Sequence, residues 1–131
     1  MTTQKTISPV DGSVYCEREL ATDAAVESAL AQAREAQRRW RLTPVAERAR
    51  ICSDFCAHFE ADTRLIATEL TWQMGRPIHY APSEVRGTLE RARHMVAIAA
   101  DALADIDAGP KDGFRRFLTR EPLGVVLTVA A

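Results

Sequence analysis

The apolar positions of this chain recur mostly at the three- and four-residue spacing of amphipathic helices. In the most regular stretch they are alternately four and three residues apart, which predicts a helix of about six turns that crosses a whole domain. The members of this stripe are Val85, Leu89, Ala92, Val96, Ala99, Leu103 and Ile106. Gly109 and Pro110 follow the stripe and favour the end of the helix there.

Two helices are predicted in the first half of the chain. Thr22 is expected to cap the first, with Asp23 near the positive end of the helix dipole. Its apolar face comprises Val26, Ala29, Leu30, Ala33 and Trp40, which predicts a packed amphipathic helix. Thr43 and Pro44 predict the start of the second, because proline is favoured at the first helical position. Its expected buried stripe is Val45, Ala49, Cys52, Phe55, Cys56 and Phe59.

A short third helix is predicted between these two and the long one. Asp62 is its expected cap, and Gly75 followed by Pro77 indicates its end. Its apolar positions are Leu65, Ile66, Leu70 and Met74. The pattern thus predicts a helical region over residues 22–108.

Strands are predicted at both ends of the chain. An Asp-Gly pair at residues 11–12 between extended stretches indicates a β-hairpin over residues 5–20. Strands are expected again over residues 114–131. Residues 114–121 interleave charged and apolar side chains, whereas residues 125–131 form an apolar, largely β-branched run typical of a strand buried on both faces of a parallel sheet.

That last strand implies more protein than the chain contains. Parallel neighbours arrive only through crossovers of a dozen or more residues, and ligands of open α/β sheets bind beyond the carboxyl ends of the strands. The sequence stops at this carboxyl end. We therefore expect residues 1–131 to be the front portion of a larger α/β protein.

Composition and charge argue against some kinds of function. The 131 residues are 47% hydrophobic, enough for a core, and 17 basic against 18 acidic residues give a net charge of -1. The two signs alternate along the helices as on solvated faces, which argues against a nucleic-acid partner. The N-terminus lacks the pattern of a signal peptide, and no apolar run approaches the roughly 20 residues that span a bilayer. We expect a cytoplasmic protein without a membrane partner.

The cysteines and one nearby histidine are candidates for a metal site or a catalytic site. Cys52 and Cys56 are one helical turn apart with His58 nearby, which would suit part of a metal cluster or a nucleophile. A structural zinc site needs four ligands, however, and cysteine is among the most buried residue types on helical stripes. Together with Cys16 these thiols make an odd number, which disfavours disulfides. We expect reduced, packed thiols, no metal and no catalytic residue.

Several segments, in order, resemble the N-terminal portion of the aldehyde dehydrogenase superfamily. The matching stretches are Ser-Pro-Val-Asp-Gly at residues 8–12, Ala-Gln-Arg-Arg-Trp at 36–40, Pro-x-x-Glu-Arg at 44–48, Gln-Met-Gly-Arg-Pro at 73–77 and Arg-Glu-Pro-Leu-Gly-Val-Val at 120–126. The resemblance implies an α/β class: the N-terminal part of a Rossmann-like fold, mostly helical here, with an N-terminal β-hairpin and C-terminal strands. The family commonly has Glu and Lys where this chain has Gln73 and Arg76.

For a complete protein the resemblance implies oxidation of an aldehyde to an acid with reduction of NAD or NADP, and a homo-oligomer. The family's catalytic Cys, Glu and Asn fall outside this sequence, so the chain alone is expected to be inactive and to bind no cofactor by itself. The backbone at Val129, Ala130 and Ala131 corresponds to the start of the segment that contacts the cofactor. The resemblance also places Ala131 where a proline is usual.

A second interpretation remains open. The four helices alone would suit a non-catalytic helical interaction module with the C-terminal stretch as a tail. If the sheet is incomplete, residues 125–129 present an uncharged strand of high β-propensity without its parallel partners, which predicts self-association of the isolated chain.

Overall fold

The computed structural model describes residues 2–129. Strands lie towards both ends of the chain, and four helices lie between them. They are β1 (Thr3–Ile7), β2 (Val14–Glu19), α1 (Asp23–Trp40), α2 (Val45–Ala61), α3 (Thr63–Met74), α4 (Ala81–Ala102), β3 (Ile106–Asp107) and β4 (Phe117–Leu118). The prediction of a mostly helical segment between an N-terminal hairpin and C-terminal strands is confirmed. Within the described residues, both two-stranded sheets are antiparallel.

The hairpin turn follows from its Asp-Gly pair. Gly12 has a φ of 75°, a conformation that glycine adopts without strain, and its amide donates to the Ser8 carbonyl at 2.9 Å. The Asp11 carboxylate accepts from the Ser13 amide at 3.0 Å and from the Ser13 hydroxyl at 2.7 Å. These bonds, the amide first, lower the pKa of Asp11. The local sequence therefore determines this turn.

Helix boundaries follow the predicted signals at some ends only. The Thr22 hydroxyl accepts from the Ala25 amide at 3.2 Å, and α3 ends at Gly75 in the left-handed region with φ 73°, as predicted. Pro44 was predicted at the first helical position of α2 but is instead its N-cap, and no side chain of the described residues caps this helix. Asp62 occupies the N-cap of α3, but its carboxylate makes no capping bond.

The core lies where α2 and α3 pack against α4. Cys56, Val85 and Leu89 are buried together, and Phe59, Ile66 and Ala92 pack partly buried against them. Close packing of these groups is the main apolar contribution to the fold. The core is small, so much of the apolar surface of the helices stays outside it.

Two predicted buried stripes are therefore corrected. On α2 only Cys56 is buried, whereas Cys52 and Phe55 are exposed, because α4 covers one edge of the stripe rather than its whole width. No side chain of α1 is buried, and Val26 and Leu30 are exposed. The spacing identified the helices correctly and overestimated how much of each apolar face is covered within the described residues.

The elements after residue 102 differ from those predicted. Helix α4 ends at Ala102, and Ile106, predicted as the last member of its stripe, pairs instead with Leu118 of β4. Of residues 114–121 only Phe117–Leu118 forms a strand. Residues 125–129 are exposed and belong to no strand within the described part of the chain. The parallel neighbours that were predicted for them are not among these residues, so the buried strand stays a prediction.

A polar and aromatic contact fixes the hairpin to α3. The Tyr15 hydroxyl donates to Glu69 Oε1 at 2.7 Å, Gln73 Nε2 donates to Glu69 Oε2 at 2.6 Å, and the Tyr15 ring stacks on Trp72 with centroids 6.0 Å apart. The bond from Tyr15, then that from Gln73, lowers the pKa of Glu69, and the same bond raises the pKa of Tyr15. This cluster holds β2 against α3, a long-range contact that no sequence motif indicated.

Candidate functional site

The approach to the predicted cofactor-binding backbone is anchored by three contacts. The Thr119 hydroxyl donates to Asp105 at 2.8 Å, and Arg120 Nη1 donates to the Ala104 carbonyl at 2.7 Å. Arg41 at the end of α1 forms an ion pair of 2.7 Å with Glu121. These contacts place the chain beside α1 and the end of α4 before it runs on towards residue 129.

The predicted site residues lie beyond that anchor. Val129 is 85% exposed and belongs to no strand. Ala130 and Ala131 lie outside the described residues. The cofactor contact at these residues stays a prediction.

Beside the anchor lies a basic cleft of about 220 Å³, which we call the arginine cleft. Its lining includes Arg41, Arg48, Arg120 and Glu121, so three guanidinium groups face one carboxylate. Within the described residues Arg48 Nε is buried and has no hydrogen-bond acceptor. With three arginines and one glutamate in its lining, the cleft is suited to an added anionic oxygen.

The arginine cleft adjoins an apolar groove between α2 and α4, which we call the α2/α4 groove. It has a volume of about 380 Å³. Phe55 of α2, Met95 of α4 and Leu103 line it and are 56%, 58% and 43% exposed. Val45, Arg48 and Leu103 line both spaces, so the groove and the cleft form one continuous surface.

The thiols and imidazoles do not form a catalytic arrangement in this part of the chain. Cys56 is buried in the core, Cys52 lines the α2/α4 groove, and Cys16 accepts from Arg18 at 2.9 Å on the hairpin. The His79 ring contacts the Tyr80 ring, with centroids 3.7 Å apart. Residues 2–129 contain no group of three or more His, Cys, Asp or Glu side chains that could hold a metal ion.

Some of the site's features were visible in the sequence and others were not. Arg48 belongs to the Pro-x-x-Glu-Arg stretch, which pointed to the position without revealing its buried Nε. Gln73, noted as a departure from the family pattern, donates to Glu69 with an amide that a glutamate would lack. Arg41 and Arg120 meet only through tertiary structure.

A model of the aldehyde dehydrogenase family matches residues 1–131. The chain belongs to the aldehyde dehydrogenase family. It is 32% identical over 127 residues to an NADP-dependent succinate-semialdehyde dehydrogenase from Mycobacterium avium, covering 95% of this chain and 27% of the relative. It is 30% identical over 126 residues to betaine aldehyde dehydrogenase 2 of Rhizobium meliloti, covering 95% and 26%.

A solved structure shares the fold. PnpE in complex with nicotinamide adenine dinucleotide superposes with a TM-score of 0.84 at 26% identity, over 93% of this chain and 25% of that one. PnpE comes from Pseudomonas sp. WBC-3. The resemblance inferred from the motifs is confirmed. This aldehyde dehydrogenase segment spans about a quarter of the length of the relatives it matches.

No helix within residues 2–129 has both the length and the apolar character that crossing a membrane requires.

Proposed function

We propose that this chain is the N-terminal portion of an NAD(P)-dependent aldehyde dehydrogenase, which oxidises an aldehyde to a carboxylic acid, and that its own contribution is architectural. The observation that carries the proposal is the family match along residues 1–131. The names of the relatives support aldehyde oxidation with a nicotinamide cofactor, since the Mycobacterium avium protein is described as NADP-dependent. The substrate class remains that of the family, an aldehyde.

The architectural role is supported by the surfaces of the helices. The α2/α4 groove exposes large apolar side chains, and no residue of α1 is buried. Apolar faces of this kind are covered in a complete domain, because their exposure to water is unfavourable. We propose that these helices cover the nucleotide-binding part of the enzyme and that none of their residues is catalytic.

For the cofactor we propose backbone contacts at Val129, Ala130 and Ala131, with NAD or NADP held mainly by other parts of the enzyme. Backbone contact suits Val129, which is exposed and belongs to no strand in the described part of the chain. We further propose a homo-oligomer, through a sheet to which the hairpin contributes, and a cytoplasmic location. No nucleic-acid or membrane partner belongs to this proposal.

A chimera tests the function directly. In the Mycobacterium avium enzyme, the 127 matched residues would be replaced by this chain, and NADP-dependent oxidation of succinate semialdehyde would be measured. We expect activity in the chimera, none in the same enzyme with those residues deleted, and none in the isolated chain with either cofactor. A folded chimera that is no more active than the deletion, or turnover by the isolated chain, would contradict the proposal.

The helical interaction module is the second candidate, and the shared core of α2, α3 and α4 is the observation that favours it. Limited proteolysis of the isolated chain distinguishes the two. A stable fragment that ends near Gly109 and keeps its helical circular dichroism would favour the module. Loss of the helices together with the C-terminal residues would favour the enzyme segment, because the anchor contacts would then be needed for the fold.

A further inference from the structure

The α2/α4 groove has the dimensions of a helix-binding surface. Its lining on α2 extends from Val45 to Cys56, a distance of about 16 Å at the rise of an α-helix, or three turns. Small side chains at Ala49, Ala92 and Ala99 also line it, so the axis of a third helix can approach the pair closely. The groove therefore suits an amphipathic helix of at least three turns.

The two ends of the groove differ in charge. Where α2 begins, the groove passes into the arginine cleft. There Arg41 is paired with Glu121, Arg120 donates to the Ala104 carbonyl, and Arg48 Nε is buried without an acceptor in the described chain. A carboxylate from an occupant of the groove would pair with the arginines that line the cleft and reduce the excess of positive charge.

We propose that the α2/α4 groove and the arginine cleft together bind an amphipathic helix that presents an Asp or Glu carboxylate to Arg48, and that this helix belongs to the catalytic remainder of the aldehyde dehydrogenase. The source of the helix rests on the proposed function. The Mycobacterium avium relative supplies the length of chain required, since the match covers only 27% of it. The apolar face of the helix packs between Phe55 and Met95, and its acidic residue fixes the register at the cleft.

The test uses the 131-residue chain and synthetic peptides of about six turns each. The peptides overlap and cover the part of the Mycobacterium avium enzyme outside the 127 matched residues. Binding is measured as a slower rate of iodoacetamide modification at Cys52, an exposed thiol of the groove. Cys16, on the hairpin and outside the groove, is the internal control in the same chain. We expect at least one peptide with an apolar face and an acidic residue to protect Cys52 and not Cys16.

The carboxylate is then tested from both sides. Replacing the acidic residue of the protecting peptide by its amide should weaken protection about tenfold or more, since charge-assisted bonds are the stronger ones. Arg48→Gln in the chain should weaken it equally. Arg38→Gln is the matched control and should change nothing, because Arg38 lies exposed on α1 and, within residues 2–129, pairs only with Glu35. The peptide substitution leaves the chain untouched, so the test does not depend on the stability of the Arg48 variant.

Three results would overturn the inference: no peptide protects Cys52, the amide peptide protects as well as the acidic one, or a peptide of α1 protects better than all others, which would make a second copy the occupant. None of these readouts requires turnover. An active chimera with no protecting peptide would refute the helix and leave the proposed function standing. If a peptide protects Cys52 in an acid-dependent way but the chimera is inactive, the bound helix stands and the proposed function is refuted.

Discussion

Replacing Gly75 by alanine should loosen the hairpin as well as destabilise α3. Gly75 ends the helix with φ 73°, and a Cβ there would lie 3.0 Å from Pro9 Cγ and 3.4 Å from Pro9 Cβ. The left-handed conformation costs an alanine about 1–2 kcal/mol. The Pro9 contact adds to this, because the proline sits in the hairpin turn and must move away. We expect Gly75→Ala to lower the free energy of unfolding by about 1–2 kcal/mol or slightly more.

Gly87 provides the matched control. It lies within α4, and a Cβ there would meet nothing within 4 Å. Gly87→Ala should therefore raise the free energy of unfolding by about 0.5–1 kcal/mol, the usual gain in helix propensity. Urea denaturation followed by circular dichroism measures both variants. The midpoint should fall by roughly 0.5–1 M for Gly75→Ala and rise for Gly87→Ala.

A second background separates backbone strain from the steric contact. In Pro9→Ala the Cγ atom is absent, so the part of the cost that comes from that contact should disappear while the strain remains. Hydrogen exchange should be faster in β1 and β2 of Gly75→Ala and return towards the parent rates in the double variant. A Gly75→Ala chain at least as stable as the parent would refute the assignment of Gly75 as a left-handed cap packed on Pro9. Unchanged exchange in the hairpin would refute the coupling between the two.

Three further predictions concern pH, association and packing. The folded pKa of Glu69 lies below its ordinary 4.5, so its contribution to stability is present above that value and is lost as pH falls through the folded pKa. Tyr15→Phe removes the main cause of the shift and should make the acid-dependent fall in melting temperature smaller. An unchanged fall would contradict this. Val126→Lys, or deletion of residues 123–131, should reduce light scattering by the isolated chain at matched concentration. The reason is that Val126 is 72% exposed in an uncharged run. A monodisperse parent chain would contradict this. Leu89→Ala, in the core, should cost about 2–5 kcal/mol in urea denaturation.

The controls for these predictions come from the same chain. Leu123 is 98% exposed, so Leu123→Ala should change stability by no more than about 0.5 kcal/mol. If it destabilises as much as Leu89→Ala, the small core between α2, α3 and α4 is not what holds the helices together. For association, Glu121→Lys is unsuitable because it breaks the pair with Arg41. Thr128→Ser keeps the run uncharged and should leave scattering unchanged.

The elements that depend on neighbouring residues could be predicted from the sequence. Asp11 and Gly12 determine the hairpin turn, the Thr22 hydroxyl begins α1, and Gly75 ends α3, because each acts within a few residues of itself. The alternating four- and three-residue spacing likewise identifies α4 along most of its length. The family resemblance followed from such short stretches in their order, and the match over residues 1–131 confirms it.

Tertiary structure decided which apolar faces are covered and which polar groups meet. Periodicity states that a helix has an apolar face, but the partner decides whether that face is buried, and so Cys56 is buried while Cys52 and Phe55, on the same stripe, are exposed. A strand likewise needs a partner. Residues 125–129 have the composition of a buried strand, yet within the described chain no strand pairs with them, and they are exposed.

The long-range polar contacts also depend on tertiary structure. The bond between Tyr15 and Glu69 joins residues 54 positions apart, and the pair of Arg41 with Glu121 spans 80 positions. Neither pairing can be read from a periodic or local sequence pattern, since many other polar or charged side chains would fit the same pattern. Only the packing of the hairpin on α3, and of the C-terminal segment beside α1, brings these particular groups within hydrogen-bonding distance.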